Sequence, residues 1–385
     1  MDRRRFFKVL SAGGLGLAFS PVTKASGFTK LVNLEKDIPA TNIADALAVP
    51  RNDRSMPGIY PGKVVRVKHA GCIENGQPQE TAAYDMLKMS MLTLTNETDL
   101  KRAWLQFVQP EDIIGLKVNP IGGKLLSTSH ALVRAVIRQL EEAGISKQKL
   151  LIWDRREEDL KNAGFTAENY PGIRIESTEY QDENGSFYDS DGKLYGESRI
   201  DREHYFYADV EGEYDAYTLP YMVNEGKYSY FSKICTKGVT KIINLPVLKN
   251  AGPTVTLCLK NMAFGSISNT ARLHQQLWHE TCAYVNAFPC IRDKVVLHIA
   301  DGIKGCFDGG PAANPQFICQ YNLLLVGSDP VAVDRVGHEI VVEKRIEEGV
   351  QESDKPGADR FIRLAADLKL GVSAKEKISL LDVEC

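Results

Sequence analysis

The sequence lacks the cysteine and glycine patterns that mark common cofactor sites. Its 385 residues include eight cysteines, but no two of them form a Cys-x-x-Cys pair, so zinc-ribbon and common iron–sulfur spacings are absent. Neither the Walker lysine loop nor the Gly-x-Gly-x-x-Gly fingerprint occurs, so no motif supports binding of a nucleoside triphosphate or a dinucleotide. A Gly-x-Ser-x-Gly nucleophile elbow is also missing. We therefore expect no iron–sulfur cluster, and mostly buried thiols with at most one or two disulfides, whose pairs the sequence does not define.

The chain also has no excess of basic residues. Its formal net charge is −3, from 47 basic and 50 acidic residues. Residues 1–25 hold five of the basic residues and one of the acidic ones, so the remainder carries 42 and 49, a net charge of −7. Binding of nucleic acid without sequence preference needs a basic surface. We expect no nucleic-acid partner.

The N-terminus carries a targeting pattern. Residues 3–8 (RRRFFK) fit the twin-arginine motif, and a short apolar stretch over residues 9–19 leads to a small-x-small cleavage site at residues 23–25. This predicts a signal peptide over residues 1–25, recognition by the twin-arginine translocase, and a periplasmic or extracytoplasmic location without a transmembrane segment in the mature chain. A basic start followed by an ordinary helix is the alternative.

Strand-like and helix-like segments alternate after a proline-containing lead-in over residues 26–60. We expect residues 61–385 to form a single α/β domain, in which a mostly parallel sheet is flanked by helices in a Rossmann-like three-layer arrangement. An acidic, tyrosine-rich insertion over residues 176–230 interrupts the pattern. It is either a hairpin-rich segment packed over one sheet edge or an aromatic platform.

Several apolar runs end abruptly in charged or amide residues. One of them, residues 254–265, is strand-like and carries Lys260 and Asn261. Ligands of α/β sheets bind outside the carboxyl ends of the strands, so we expect one polar cleft there. An ammonium group is a natural partner for phosphate or carboxylate. The residues expected to bind a small anionic ligand are Lys117, Asn119, Asp154, Lys249, Asn250, Lys260 and Asn261.

Acid–base candidates lie in the same part of the chain. Asp301 and Asp308 are joined through glycines that permit unusual backbone angles, and they can bind a divalent cation or move a proton. His274 is expected to assist them. Asp329, followed directly by Pro330, is more typical of a helix cap than of a site. No metal can be assigned from these residues.

Taken in order, the motifs resemble a bacterial and archaeal family catalogued as domain of unknown function 362. The similarity spans roughly residues 60–345 and implies an exported protein of no settled activity. Some relatives carry a ferredoxin-like module, whose clustered cysteines this chain lacks. The family often has Lys-x-His where this chain has Lys249-Asn250-Ala251, and His274 matches a family position. The matching pieces are GLKVNP (115–120), LLIWDR (150–155), NLPVLKN (244–250), LCLKNMAFG (257–265), ADG (300–302), DGGP (308–311) and GSDPVAVD (327–334).

These observations predict an enzyme or cofactor-dependent protein that acts on a small anionic molecule. A non-catalytic periplasmic binding module is the first alternative, and a metal- or redox-handling protein is the second. An enzyme requires an acid or base within hydrogen-bond reach of its substrate, whereas a binding module requires only a complementary cradle. Whether the protein is catalytic is left open by the sequence.

Overall fold

The computed structural model of the chain describes residues 38–211, 226–252, 254–351 and 354–385. The predicted signal peptide, most of the lead-in and part of the tyrosine-rich insertion lie outside these residues. Residues 39–385 cluster as one unit by their internal contacts. The end of the lead-in includes a short helix over Ile43–Ala48.

A sheet of 11 strands crosses the described part of the chain, together with two small two-stranded sheets. Numbered in chain order, the strands are β1 Lys63–Lys68, β2 Ile73–Glu74, β3 Gln77–Pro78, β4 Ile114–Val118, β5 Leu150–Arg156, β6 Arg174–Glu179, β7 Ile200–Tyr207, β8 Tyr228–Ser232, β9 Lys241–Leu245, β10 Val247–Ala251, β11 Thr254–Thr256, β12 Val295–Gly310, β13 Ile318–Cys319, β14 Leu323–Gly327 and β15 Ser379–Glu384.

Helices connect and cover these strands. In chain order they are α1 Ile43–Ala48, α2 Glu80–Thr95, α3 Leu100–Leu105, α4 Gly123–Leu126, α5 His130–Glu142, α6 Glu157–Ala163, α7 Cys258–Ser266, α8 Ala271–Gln276, α9 Trp278–Tyr284, α10 Pro289–Arg292, α11 Pro330–Glu347 and α12 Arg360–Asp367.

The main sheet is mostly parallel. Its strand order is β15-β1-β14-β12-β9-β4-β5-β6. Only β14 runs against both of its neighbours in this order, while the other adjacent pairs are parallel. The two faces bury separate hydrophobic clusters, one with α2 and α5 and the other with α7, α9 and α11. The predicted class, a mostly parallel sheet between helical layers, is confirmed.

Alternation along the strands assigns side chains to the two faces. Successive strand residues point to opposite sides of a sheet. On β5, Ile152 therefore packs in the cluster with α5, whereas Leu151 and Trp153 pack in the cluster with α7. On β4, Leu116 faces α5, which turns Lys117 towards α7. This alternation places a buried lysine between the sheet and α7.

Side-chain caps define where several helices begin. Asp329 accepts hydrogen bonds from the amides of Val331 and Ala332 at the start of α11, with Pro330 as the first helical residue. The same carboxylate accepts the amide of Gly62 at 2.9 Å, so it also ties the start of β1 to this helix. The structural role predicted for Asp329 is confirmed.

The run over residues 254–265 differs from the strand-like prediction. It forms a strand of three residues and then turns into α7, so Lys260 and Asn261 lie on a helix. Short apolar runs do not distinguish a strand from a buried helix by periodicity. The decisive interaction is remote in sequence, because Asp334 accepts the amides of Cys258 at 2.6 Å and Leu259 at 3.1 Å.

The described part of the tyrosine-rich insertion contains a β7–β8 hairpin. Tyr205 and Tyr207 meet Tyr228 and Tyr230 on one face, with ring centroids 5.0–6.2 Å apart. Phe206 and other apolar residues turn to the opposite face and pack against the α7–α9 layer. The segment is therefore held by an apolar inner face and presents tyrosines outward.

The eight cysteines all carry free thiols, and only Cys385 is exposed. No helix within the described ranges combines the length and apolarity needed to cross a membrane.

Candidate functional site

A small cavity lies where the chain connections leave the sheet in opposite directions. After β4 the chain crosses to β5 through α5 on one face, and after β9 it proceeds towards β12 through α7 on the other face. Such a switch point creates a crevice at the carboxyl ends of parallel strands. The cavity there measures about 60 Å³. Six of the predicted ligand-binding residues line it: Lys117, Asn119, Asp154, Lys249, Lys260 and Asn261.

A buried ion pair forms one wall. The ammonium of Lys117 contacts the carboxylate of Asp154 on the adjacent strand and donates to the carbonyl of Val118 at 2.8 Å. It also lies 5.4 Å from the centroid of the Trp153 ring. On α7, a Cβ atom at Gly265 would overlap the Lys117 ammonium, so the glycine leaves the space for this pair. The charge of Lys117 is thus neutralised within the protein.

A chain of amide side chains holds the neighbouring groups in fixed orientations. Asn119 accepts from the Lys249 ammonium at 2.8 Å and donates to the Oδ1 atom of Asn261 at 3.0 Å. Asn261 donates to Asn244 at 2.7 Å, and Asn244 donates to Nδ1 of His298 at 3.0 Å. Burial lowers the pKa of His298 to about 3, so this ring is neutral. Asn244 and His298 extend the site beyond the residues predicted from sequence.

Two lysines in the cavity wall have no carboxylate partner among the described residues. The buried Lys249 ammonium donates only to neutral oxygens, those of Asn119 and of the Ile121 carbonyl, the latter at 2.9 Å. Burial, and after it the nearby charge of Lys260, lower the pKa of Lys249 to about 7. Lys260 is half-buried and lies 5.4 Å from the Phe264 ring centroid. Its pKa is also lowered, first by burial.

His274 lies at the mouth of the cavity. One side of the residue is exposed, and the ring packs against Phe264 with centroids 4.3 Å apart. Its Nδ1 atom lies 2.9 Å from the carbonyl of Thr270, so this nitrogen is the protonated one and Nε2 carries a lone pair. Burial of the packed side and then the charge of Lys260 lower the pKa of His274. The ring is therefore neutral at pH 7 and can accept a proton or a hydrogen bond.

The sequence interpretation missed two charged residues of the cavity, Arg155 and Asp159. Arg155 is paired with Glu179 at 3.5 Å. Asp159, in the first turn of α6, has no hydrogen bond or ion pair within the described part of the chain. Burial raises its pKa, while the charge of Arg156 lowers it and the charge of Asp154 raises it again. In sequence it looked like one more acidic residue at a helix start, where such residues are common.

Three predicted site residues lie outside the cavity. Asn250 follows Lys249 on β10 and therefore faces the other way. Asp301 is buried on β12, where it accepts the amides of Ser129 at 2.7 Å and Ile303 at 3.0 Å. Asp308 pairs with Arg345 at 2.5 Å. Asn250 therefore points away from the cavity, and Asp301 and Asp308 are engaged by other groups. Pro311, directly after β12, does line the cavity.

Among the cavity residues that the structure describes, no three His, Cys, Asp or Glu side chains lie close enough together to hold a metal ion. Among the described residues, a His/Asp/Glu group with metal-ligand spacing occurs at Asp201, Glu203 and His204, where the latter two are exposed. These residues belong to β7 and are not cavity residues. The buried carboxylate of Asp201 already has other partners, because it contacts Lys237 at 3.3 Å and accepts the hydroxyl of Thr236 at 2.8 Å.

Fold and cavity together define a three-layer α/β protein with a polar crevice at its strand ends. A family model described as "Domain of unknown function (DUF362)" matches residues 214–339. This range includes Lys249, Lys260 and His274, but not Lys117 or Asp154. The match supports the resemblance drawn from the motifs over this third of the chain, and its description assigns no reaction.

Comparisons with solved structures and curated proteins give no information about the function of the cavity. A crystal structure of a Thermotoga maritima protein from a structural genomics consortium is similar at a TM-score of 0.38 and 8% sequence identity. The alignment covers 70% of this chain and 60% of that protein, and a likeness this distant carries no functional argument. No curated protein matches the chain significantly.

The two buried lysines are expected to respond differently to replacement. Lys117→Met leaves the Asp154 carboxylate buried without a counter-charge, so the free energy of unfolding should fall by about 3–5 kcal/mol. Lys249→Met removes an ammonium that burial already disfavours. It should therefore lower the free energy of unfolding by less than about half of the decrease caused by Lys117→Met. Urea unfolding at about pH 7 measures both changes.

The double variant Lys117→Met/Asp154→Leu serves as the control, because it removes both charges. It should recover most of the stability that Lys117→Met loses. Equal destabilisation by Lys117→Met and Lys249→Met would contradict the different partners assigned to the two lysines.

Proposed function

We propose that the cavity binds a small anion, a phosphate or carboxylate group, and that the protein is an enzyme acting on the molecule that carries it. One observation carries this proposal: Lys249 and Lys260 face the same cavity without a carboxylate partner among the described residues. Keeping a positive charge away from water is costly unless an opposite charge compensates. An anion between the two lysines supplies that charge and accepts charge-assisted hydrogen bonds.

The remaining polar residues have supporting roles in this proposal. Lys117 is already engaged by Asp154, so this pair shapes the wall and leaves the anion to the other two lysines. Asn119 holds the Lys249 ammonium, and Asn261 holds Asn119. Prior orientation of this kind strengthens binding because fewer groups lose freedom when the ligand arrives.

The dimensions of the cavity suit one small group. It measures about 60 Å³, and a single water needs roughly 10–15 Å³ on the same scale. Several waters or one phosphate or carboxylate group therefore fit, whereas a whole nucleotide does not. A larger substrate would extend past His274 into solvent.

Two proton-accepting groups favour an enzyme over a pure binding module. Asp159 and His274 line the same cavity as the lysines, and a positioned carboxylate or neutral imidazole is a general base when it reaches the substrate. The alternative is a non-catalytic binding protein. It is favoured by the amide chain from Asn119 to His298, which makes a preformed cradle without requiring any reaction.

Lys260→Met should weaken anion binding. A hydrogen bond to a charged group contributes about 1.5–3 kcal/mol, so affinity for inorganic phosphate or acetate should fall by about 10-fold or more. Isothermal titration calorimetry at low salt and about pH 7 measures the change. Lys88→Met, which replaces an exposed lysine of α2, is the matched control and should bind like the wild type. Unchanged affinity in Lys260→Met would remove this residue from the site.

Anion binding should also be coupled to proton uptake. The pKa of Lys249 lies near 7 in the folded protein instead of at its ordinary 10.5. Between pH 7 and pH 10.5, the Lys249 amine of the ligand-free protein is therefore largely uncharged. A bound anion favours the ammonium, so phosphate affinity should rise as the pH falls from about 10 to about 7 and then level off. Titrations near pH 8.5 in buffers of different ionisation enthalpy count the protons. Lys249→Met should reduce the uptake, leaving any part that comes from Lys260, and an unchanged proton count would contradict the assignment.

We also propose that the chain is exported by the twin-arginine translocase and acts outside the cytoplasm. The support is the arginine motif at residues 3–8. Changing Arg3, Arg4 and Arg5 to lysine keeps the charge and should retain the protein in the cytoplasm of its host, as measured by cell fractionation. Lys24→Arg is the control and should be exported normally. Export of the triple variant would refute this route.

A further inference from the structure

We infer that the cavity selects anions that still carry a hydroxyl proton, such as hydrogen phosphate, and rejects fully deprotonated oxyanions such as sulfate. The inference rests on the proposed function and specifies its ligand. It comes from the carboxylate of Asp159, which lines the same cavity as Lys249 and Lys260 and has no hydrogen bond or ion pair within the described residues.

Asp159 is the cavity carboxylate that has no hydrogen bond or ion pair with any residue the structure describes. Asp154 contacts the Lys117 ammonium, so its charge is compensated. The two arginines between them in sequence, Arg155 and Arg156, pair with Glu179 at 3.5 and 3.1 Å. Asp159 follows on the first turn of α6, half-buried at the cavity wall. It therefore faces whatever occupies the cavity.

The cavity thus offers two opposite kinds of polar group. An ammonium can only donate hydrogen bonds, and an ionised carboxylate can only accept them. An anion held by Lys249 and Lys260 must also meet Asp159. Hydrogen phosphate turns its O–H towards the carboxylate and forms a short, charge-assisted hydrogen bond. Every oxygen of sulfate is an acceptor, so sulfate would place lone pairs and negative charge against Asp159.

Other features of the wall act in the same direction. Nδ1 of His274 is occupied by the Thr270 carbonyl, so this cavity residue offers only an acceptor nitrogen. Against the effect of burial, which raises the pKa of Asp159, the charges of Arg156 and Arg155 lower it and so favour the ionised form, which only accepts hydrogen bonds. The corresponding organic ligands are singly protonated phosphate compounds and small hydroxy acids.

Competition between phosphate and sulfate tests the inference. At about pH 8, phosphate retains one proton and sulfate has none. A site that hydrogen-bonds a ligand hydroxyl strongly rejects analogues that lack it, so the wild type should prefer phosphate to sulfate by about 100-fold or more in calorimetric titrations at low salt. Asp159→Asn supplies an amide donor and should bring the two affinities within about 10-fold of each other.

Glu158→Gln is the matched control, because it removes one negative charge from an exposed neighbour on the same helix. It should keep the phosphate preference of the wild type. Asp159 has no partner to lose among the described residues, so Asp159→Asn should fold with an unchanged melting temperature. Wild-type protein that binds both anions equally would overturn the selectivity and leave the proposed anion site intact. Binding of neither anion would overturn the proposed function itself. A full phosphate preference in Asp159→Asn would show that another group selects the ligand.

Discussion

The buried ion pair between Lys117 and Asp154 is the interaction on which the site depends. It joins β4 to β5 beneath α7, at a point where Gly265 leaves room for the ammonium. Two charges removed from water stabilise a protein only if they pair closely with each other and if their other hydrogen-bonding atoms also find partners. Lys117 meets this condition through Asp154, the Val118 carbonyl and Asn261. The pair therefore anchors the cavity wall and also Asn261, which accepts from Asn119, the amide that orients Lys249.

The chemistry of the cavity follows from an imbalance in its charges. Lys117 and Arg155 are compensated inside the protein. Among the described residues, Lys249 and Lys260 have no carboxylate partner, and Asp159 has no hydrogen bond or ion pair. These groups do not neutralise one another directly. A ligand with negative charge on one side and a hydroxyl proton on the other completes the arrangement. Binding and selectivity would then have one common origin, the incomplete pairing of the wall.

Much of the fold and part of the site could be predicted from local patterns. The alternation of strands and helices indicated a mostly parallel sheet, and the residues at the ends of β4 and β5 indicated where its cleft lies. Lys117, Asp154 and His274 were assigned to one site and do line one cavity. Asp301 and Asp308 were assigned to it as well, but they tie α5 and α11 to β12 instead. A strand-end aspartate looks the same in sequence whether it faces a ligand, an amide or an arginine.

The sequence by itself determined those features that depend on neighbours along the chain. They are the strand and helix periodicity, the Asp329 cap, and the presence of lysines near strand ends. Only the tertiary structure decided which charges remain without partners. Asp334 starts α7 from 75 or more residues away and thereby places Lys260 on a helix. The carboxylate that pairs with Lys117 is likewise 37 residues distant. Whether a charged side chain is compensated depends on such remote contacts, because the electrostatic energy of a buried group is set by its surroundings in space and not by its neighbours in sequence.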